Sequence, residues 1–300
     1  MPRHVIIKGF NSTQIRTFTH QYFKSIGKLD SADKFLSDTL LVNSKIKDLA
    51  SCQLLCMLLC VLFDDAYGNL PDKMTDIYST LFTCMIKRNL VKNNNFLGDI
   101  PDSYKLMLIE FGEIALRTCK ENRVYFLPNE IKASQLSDIL DIGFLTKCWS
   151  TSKINKSEYY QPLQKTLNEY LAALYLSTLI DQPALLRKEL EVLVDNMHCC
   201  GAIREKTPEL FEVSYERKTG LTMILRFIVG WLSDRSDLVF ETLSPLQLEK
   251  RPLFQLMTEA GLHSVNVGEC HTLPIPSLVA REHSLGINVL YINLQVFIQC

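Results

Sequence analysis

The sequence predicts a mainly α-helical protein in which helical bundles flank a central region that contains a small β-hairpin. Two observations lead to this prediction. Over most of the 300 residues, apolar side chains recur every three or four positions, which is the spacing of one helix face. Between about residues 143 and 161 the pattern changes to two short strand-like stretches separated by a polar turn, which is typical of a hairpin.

The composition is that of an ordinary globular protein, with 47% apolar residues, 22% charged residues and a net charge of −1. This balance gives no general attraction to polyanions. The longest apolar run, Leu54 to Phe63, is well short of the roughly 18 residues that a membrane-spanning helix needs. The ten cysteines do not have the spacing of a small disulfide scaffold. We therefore expect a cytoplasmic protein with free thiols and no membrane partner.

Local signals place the helices of the first hundred residues. Asn11 and Gln14 have the spacing of a capping box, which predicts a helix that begins at about residue 12. The stretch from about Ile46 to Phe63 is apolar on nearly every side, which predicts one continuous buried helix. Pro71 predicts the first turn of another helix, which extends to about Asn89.

The central region has the order of elements found in a winged-helix domain. A helix from about Asp102 to Glu121 is followed by the short apolar stretch Val124 to Phe126. The sequence then predicts a helix, two strands joined by STSKINKS, and a long helix. Their expected limits are about Asn129–Leu140, Gly143–Trp149, Glu158–Gln161 and Leu163–Ile180.

The segment CVLFDD, Cys60 to Asp65, has the form of a Walker B strand that ends in two acids. A Walker B acid acts beside a P-loop, and the pattern GxxxxGK[ST] is not found in the 300 residues. The apolar run before Asp64 is also too long for one strand and poor in β-branched residues. We therefore predict that Asp64 and Asp65 lie near the end of a buried helix.

No other motif indicates catalysis or a metal site. Cys52, Cys56 and Cys60 are spaced to form one stripe along a helix, but no fourth ligand converges on them, so buried thiols are the simpler interpretation. His198-Cys199-Cys200 and Cys270-His271 have no CxxC partner. We predict no catalytic residues, no metal and no cofactor.

A winged helix raises the alternative of nucleic-acid binding. The recognition helix would be NEIKASQLSDIL, which carries Lys132 but also Glu130 and Asp138. From Val124 to Lys165 the net charge is only +1, from five lysines and four acids. Phosphate binding requires several basic residues on one face. This alternative is disfavoured, although the lysines of STSKINKS support it.

The stretch QPLQKTLNEYLAALYLS, residues 161–177, resembles the signature that closes the winged-helix domain of NACHT proteins, the NOD-like receptor family of signal-transducing STAND ATPases. The family pattern is approximately aromatic-x-H-x-T-x-Q-E-[FY]-x-A-A. The chain also resembles the family's first helical domain at LASCQLLCMLLCVLFDD and its second at LTMILRFIVGWL. The matching signature residues are Thr166, Glu169, Tyr170, Ala172 and Ala173, and Asn168 stands where the family has Gln.

Two positions that contact nucleotide in the family are substituted here. The resemblance places Gln53 where a proline packs near the adenine, and Gln164 where a histidine reaches the β-phosphate of ADP. A neutral amide lacks the charge-assisted hydrogen bond of a protonated histidine. For Gln164, a solvated residue in the first helical turn is an equally good interpretation.

The resemblance implies a domain organisation. The P-loop domain of the family would precede residue 1, and the family's leucine-rich repeats would follow the alternating tail, so we expect a truncated or diverged form of such a receptor. The predicted divisions are residues 1–9 as the last strand of a nucleotide-binding domain, 10–98 as helical domain 1, 99–180 as the winged helix, 181–262 as helical domain 2 and 263–300 as a tail where a repeat region would start.

The resemblance implies a non-enzymatic regulatory or scaffold module for innate-immune or cell-death signalling. It would act by conformational switching and oligomerisation, with movement at polar hinges such as VKNNNFLGD. Its partners would be proteins: further copies of the chain, or a nucleotide-binding domain in trans. ADP or ATP is implied only for the full-length family module. Two alternatives stay open, a weak ADP- or ATP-binding switch and a winged-helix nucleic-acid binder.

Overall fold

A computed structural model describes residues 9–40, 44–66, 68–94, 98–150, 157–201, 221–232, 235–236, 239–240 and 259. Within these ranges the protein is mainly helical and contains one small antiparallel sheet, which confirms the predicted fold class at this level. The chain divides into two compact units, Met1–Ile86 and Lys87–Cys300. The predicted domain divisions stay predictions. In the described ranges, no helix has the length and apolar character needed to cross a membrane.

The first unit is a set of helices around an aromatic core. The Asn11 side chain accepts a hydrogen bond from the Gln14 N–H, and the Gln14 side chain accepts one from the Asn11 N–H, so the predicted capping box is confirmed. Phe35 packs against Phe63 with ring centroids 5.1 Å apart, and Phe23 lies beside both rings. The helices are α1 (Ser12–Ser25), α2 (Leu29–Lys34), a π-helical segment (Phe35–Leu40), α3 (Ser44–Ala50), α4 (Gln53–Asp65) and α5 (Met74–Asn94).

The prediction of one continuous helix from Ile46 to Phe63 is wrong, because Ser51 and Cys52 separate α3 from α4. The Ser51 carbonyl accepts a hydrogen bond of 2.6 Å from the Phe10 N–H. Gly9 fits so closely here that a Cβ atom at this position would be 2.7 Å from the Ser51 carbonyl oxygen. The break therefore depends on a contact with a distant part of the chain.

Helix α5 is displaced from its predicted limits. Its first backbone hydrogen bond joins the Ile77 N–H to the Lys73 carbonyl, so Pro71 lies before the helix and not in its first turn. The helix continues to Asn94, so the first four residues of the predicted hinge VKNNNFLGD are helical. The boundary between the two units falls within α5.

The second unit contains the central sheet and the helices around it. These elements are α6 (Asp102–Lys120), a 3-10 turn (Pro128–Glu130), α7 (Ala133–Asp141), β1 (Leu145–Trp149), β2 (Glu158–Pro162), α8 (Lys165–Thr178), a second 3-10 turn (Leu179–Asp181), α9 (Pro183–Gly201) and α10 (residues 221–232). The limits predicted for the first of these helices and for the two strands agree with the structure to within about two residues.

The predicted recognition helix begins four residues late, at Ala133 instead of Asn129. Glu130 is held in the preceding 3-10 turn because its carboxylate accepts hydrogen bonds from the Leu127 N–H, at 2.8 Å, and from the Arg123 guanidinium, at 2.6 and 3.0 Å. This anchoring keeps residues 128–132 outside the helix, and α7 has only nine residues.

Strand β2 lies between β1 and the segment that contains Phe126. Strands β1 and β2 pair antiparallel, with Leu145 opposite Pro162 and Trp149 opposite Glu158. On the other side of β2, Phe126 and Tyr160 exchange both backbone hydrogen bonds, at 2.8 and 2.9 Å. The order across the sheet is therefore the Phe126 segment, β2, then β1.

Helix α6 packs along α8 at very short range. A Cβ atom on Gly112 would be 2.4 Å from the Leu171 carbonyl oxygen and 2.9 Å from the Cβ atom of Tyr175. Because Thr118 lies near Asn168 further along, the two helices run in opposite directions, and the end of α6 lies beside the start of α8. The predicted strands Val5–Ile7 and residues 287–300 lie outside the described residues.

Candidate functional site

A group of polar side chains, buried except for the half-exposed Lys165 and the partly exposed Cys119, lies where the end of α6 meets the first half of α8. We call Thr118, Cys119, Lys165, Asn168 and Glu169 the polar cluster. Its centre is Asn168, whose side-chain Nδ2 donates to Thr118 Oγ1 and is also 3.3 Å from Cys119 Sγ. The Thr118 hydroxyl donates to the Ala115 carbonyl, so its oxygen is left to accept from Asn168. The cluster ties α6 to α8 through side chains.

One acceptor of the cluster is not satisfied. Asn168 is 3% exposed, and its buried Oδ1 has no hydrogen-bond partner among the residues that the structure describes. A buried acceptor of this kind destabilises the packed state by about 1–3 kcal/mol relative to a hydrogen-bonded one.

Glu169 carries a buried carboxyl group whose recorded ion-pair partner in the described residues is Lys165. Its side chain is 2% exposed, and Lys165 Nζ lies 3.9 Å from Oε1, beyond hydrogen-bond length. Burial raises the pKa of Glu169 to about 7, and the nearby Lys165 opposes this effect. The group therefore carries a proton over much of the range in which an exposed glutamate is ionised.

The thiol of Cys119 is kept protonated. Burial raises the pKa of Cys119 to about 12, and the charge of Glu169 adds to the increase. A thiol with so high a pKa is a poor nucleophile and a poor metal ligand near neutral pH. The cluster as a whole therefore has the chemistry of a packing contact.

The remaining matched residues of the family signature lie in the core of the second unit. Ala172 and Ala173 are fully buried, and Tyr170 is 2% exposed. The Tyr170 ring packs against Phe227 and Trp231 of α10, with centroids 5.4 and 5.8 Å away. The signature thus joins α8 to α6 through Asn168 and to α10 through Tyr170.

The first signature positions lie at the surface end of α8. Gln164 is the N-cap residue, in an extended conformation, and its carbonyl accepts a hydrogen bond from the Leu167 N–H. Its side chain is half-buried and does not cap the helix, and Thr166 is also half-buried. Gln53 is exposed at the first position of α4 and belongs to the other unit.

Asp64 and Asp65 lie in the last turn of α4, as the periodicity of the sequence predicts. Asp64 accepts a hydrogen bond of 2.6 Å from Lys28 Nζ, and Asp65 accepts one of 3.1 Å from the Cys84 thiol. A Walker B acid instead ends a strand. The observed contacts instead join the last turn of α4 to Lys28 and Cys84.

The predicted three-cysteine stripe is not formed as expected, because Cys52 precedes α4 and has an extended conformation. Cys56 and Cys60 are buried on that helix, and Cys60 Sγ is 4.0 Å from the Thr19 hydroxyl of α1. In the described ranges, no group of three or more His, Cys, Asp or Glu side chains is arranged to hold a metal ion.

Lys132 and Lys147, near α7 and in the hairpin, each have a close acidic partner. Lys132 pairs with Glu110 of α6 at 2.7 Å, and Lys147 of β1 pairs with Glu158 of β2 at 2.8 Å. Asp138 is exposed on α7 itself. The described part of the hairpin and α7 therefore does not present a set of free lysines to a phosphate backbone.

The sequence did not single out Thr118 and Cys119 as partners of the signature. They end the long amphipathic helix α6, and only the pairing of α6 with α8 brings them to Asn168. The buried ion pair of Arg226 with Glu259, at 3.3 Å, was also not predicted. A buried arginine in an apolar helix is a signal that could have indicated it.

A scan against models of known protein families finds no match to this chain, and a search among curated proteins finds none either.

Proposed function

We propose that this chain is a non-enzymatic regulatory module of the NOD-like receptor type, in which helical domain 1, a winged helix and helical domain 2 act through conformational switching and protein–protein contacts. Its role would lie in cytoplasmic innate-immune or cell-death signalling. The observation that carries the proposal is the burial of the α8 signature residues Asn168, Glu169, Tyr170, Ala172 and Ala173. Asn168 is hydrogen-bonded to Thr118 of α6, and Tyr170 packs against Phe227 of α10.

The order of elements in the second unit supports a winged helix. Helix α6 leads into the Phe126 segment, then α7, then the hairpin of β1 and β2, and β2 lies in the centre of the sheet. In a winged helix, the hairpin that follows the recognition helix likewise pairs with a short strand that precedes that helix. The aromatic core of Phe111, Phe126 and Phe144 joins these elements, with ring centroids 4.9 and 5.3 Å from that of Phe111.

The packing of the signature supports a structural role for α8. Residues that bind a substrate or a nucleotide have polar atoms open to a cleft. Here Ala172 and Ala173 are fully buried, and the amide of Asn168 binds Thr118 of the same unit. Such residues fix the position of α8 against its neighbours, which is what a rigid lever in a switching protein requires.

The two alternatives receive less support. Nucleotide binding would depend on Gln53 and Gln164, which stand where the family has proline and histidine, and the sequence contains no GxxxxGK[ST] pattern. Nucleic-acid binding would depend on lysines, of which Lys132 and Lys147 are paired with glutamates. Retardation of DNA by the chain at physiological ionic strength, lost at higher salt, would favour the nucleic-acid alternative.

Binding in trans tests the proposal directly. The purified full chain is titrated with an isolated nucleotide-binding domain of a NOD-like receptor, and its self-association is followed separately by sedimentation. We expect saturable association with that domain or with further copies of the chain, with a Kd of about 1–100 μM. An unrelated P-loop ATPase of similar net charge is the control and should not bind. A chain that stays monomeric and binds neither partner at about 1 mM contradicts the proposal.

A further inference from the structure

We propose that the contact between α6 and α8 is a proton-linked joint: it is closed when Glu169 is neutral and protonated, and opening of the first turns of α8 releases this proton to water. The inference concerns the folded chain alone and does not depend on the proposed function.

The first support is the position of the carboxyl group. Glu169 is 2% exposed, and no hydrogen bond joins its carboxyl to another residue in the described ranges. An ionised carboxylate is strongly disfavoured in such a place unless a cation or several donors compensate it. The Lys165 ammonium, 40% exposed and 3.9 Å away, is too distant and too hydrated to do this fully. The closed contact therefore favours the protonated form.

Among the described residues, Lys165 is the charged group recorded beside Glu169. Helix α6 contributes the neutral thiol of Cys119, whose pKa is raised by burial. The adjacent Lys120 is paired with Glu189 of α9. On α10, Arg226 is paired with Glu259. On α8 itself, Lys165 is the charged group that faces the carboxyl.

The structure also indicates where the contact opens. At Gly112 the two helices approach so closely that no space is left between them, which anchors the middle of α8. At the other end, the polar cluster contains the unsatisfied Oδ1 of Asn168, and Gln164 does not cap the helix with its side chain. Opening at this end separates Asn168 from Thr118 and exposes the buried Leu167, so it costs free energy at every pH. Displacement of residues 165–169 exposes Glu169 to water while the contact at Gly112 is kept.

Linkage fixes the expected pH dependence. Glu169 has an ordinary pKa of 4.5 when exposed and one of about 7 in the closed contact. The equilibrium constant for opening therefore rises by up to about tenfold for each pH unit between these two pKa values. Above about pH 7 this constant stops rising, because the closed form then loses the proton as well.

Hydrogen exchange of the full chain tests this inference, with rates corrected for the intrinsic effect of pH. For the wild type we expect the protection of α8 amides near residues 166–170 to fall about tenfold between about pH 5.5 and 6.5. In Glu169→Gln, which is neutral at every pH, this fall should disappear. The control Glu191→Gln changes the same charge on the exposed side of α9 and should behave as the wild type.

A second variant keeps the test decisive if Glu169→Gln folds poorly. Lys165→Met removes the cation that favours the ionised carboxyl, so the pH at which opening levels off should move upward. A wild type with constant protection, or a Glu169→Gln variant with the wild-type pH dependence, would overturn the inference. The inference would also be overturned if, in Lys165→Met, the pH above which opening no longer increases moved downward.

Discussion

Gly112 of α6 lies so close to Leu171 of α8 that a Cβ atom on the glycine would be 2.4 Å from the Leu171 carbonyl oxygen. Real Cβ atoms do not approach a backbone oxygen so closely, so any larger residue forces the two helices apart. The glycine thus sets the separation of the helices that carry the polar cluster.

The first prediction concerns this glycine. In an exposed helix, Gly→Ala stabilises by about 1 kcal/mol because alanine has the higher helix propensity. Here we expect Gly112→Ala to destabilise the protein by about 1–3 kcal/mol, since the added methyl group overpacks the helix contact. Chemical denaturation measures the difference. The neighbouring exposed position provides the control, Glu113→Ala, which should change the stability by less than about 0.5 kcal/mol.

A second prediction concerns the anchor before α7. The half-buried Arg123 guanidinium and the Leu127 N–H both donate to Glu130, and the pKa of Glu130 is lowered chiefly by the Arg123 hydrogen bond. Glu130→Gln should therefore destabilise the second unit by about 1–3 kcal/mol at neutral pH. Glu121→Gln is the matched control, because Glu121 also binds Arg123 but is more exposed, and it should have a smaller effect.

The lowered pKa of Glu130 also predicts how its contribution to stability changes in acid. Because the folded state lowers the pKa of Glu130, its contribution is fully present above the ordinary value of 4.5 and is lost as the pH falls through the folded value. The difference in stability between wild type and Glu130→Gln should therefore shrink in acid. A difference that grows as the pH falls would contradict the assigned contact.

The third prediction tests the division of the chain into two units. Phe35 lies in the aromatic core of the first unit and Phe111 in that of the second, and both are fully buried. Truncation of a buried phenylalanine to alanine costs about 3–5 kcal/mol. Phe35→Ala should mainly reduce the amide protection of α1 and α4, and Phe111→Ala that of α6 and α8. An equal loss of protection in both units from either variant would show a single cooperative unit instead.

Local chemistry explains what could be predicted from the sequence. The start of α1 was predicted because the Asn11 and Gln14 side chains satisfy backbone N–H groups only three residues away. The strands of the hairpin were predicted because their pattern and their polar turn are contiguous in the chain. Features that need only neighbouring residues can be read without knowledge of the tertiary structure.

The features that were missed depend on residues far apart in the chain. The break at Ser51 depends on the Phe10 N–H, which is 41 positions away, and the late start of α7 depends on the Arg123 guanidinium that holds Glu130. Likewise, the sequence marked Asn168 and Glu169 as signature positions but did not indicate that Cys119 lies beside them. Only the packing of α6 on α8 creates that cluster.

The proposed function implies that the α8 signature serves packing and switching, and it predicts that the chain by itself does not bind a nucleotide. Thermal unfolding of the full chain with and without ADP and magnesium tests this most directly, with Gln164→Ala as the matched variant. We predict that saturating ADP–magnesium changes the Tm of both proteins by less than about 1 °C, because a ligand stabilises only the state that it binds. A rise of about 5 °C or more in the wild type that is lost in Gln164→Ala would contradict the account.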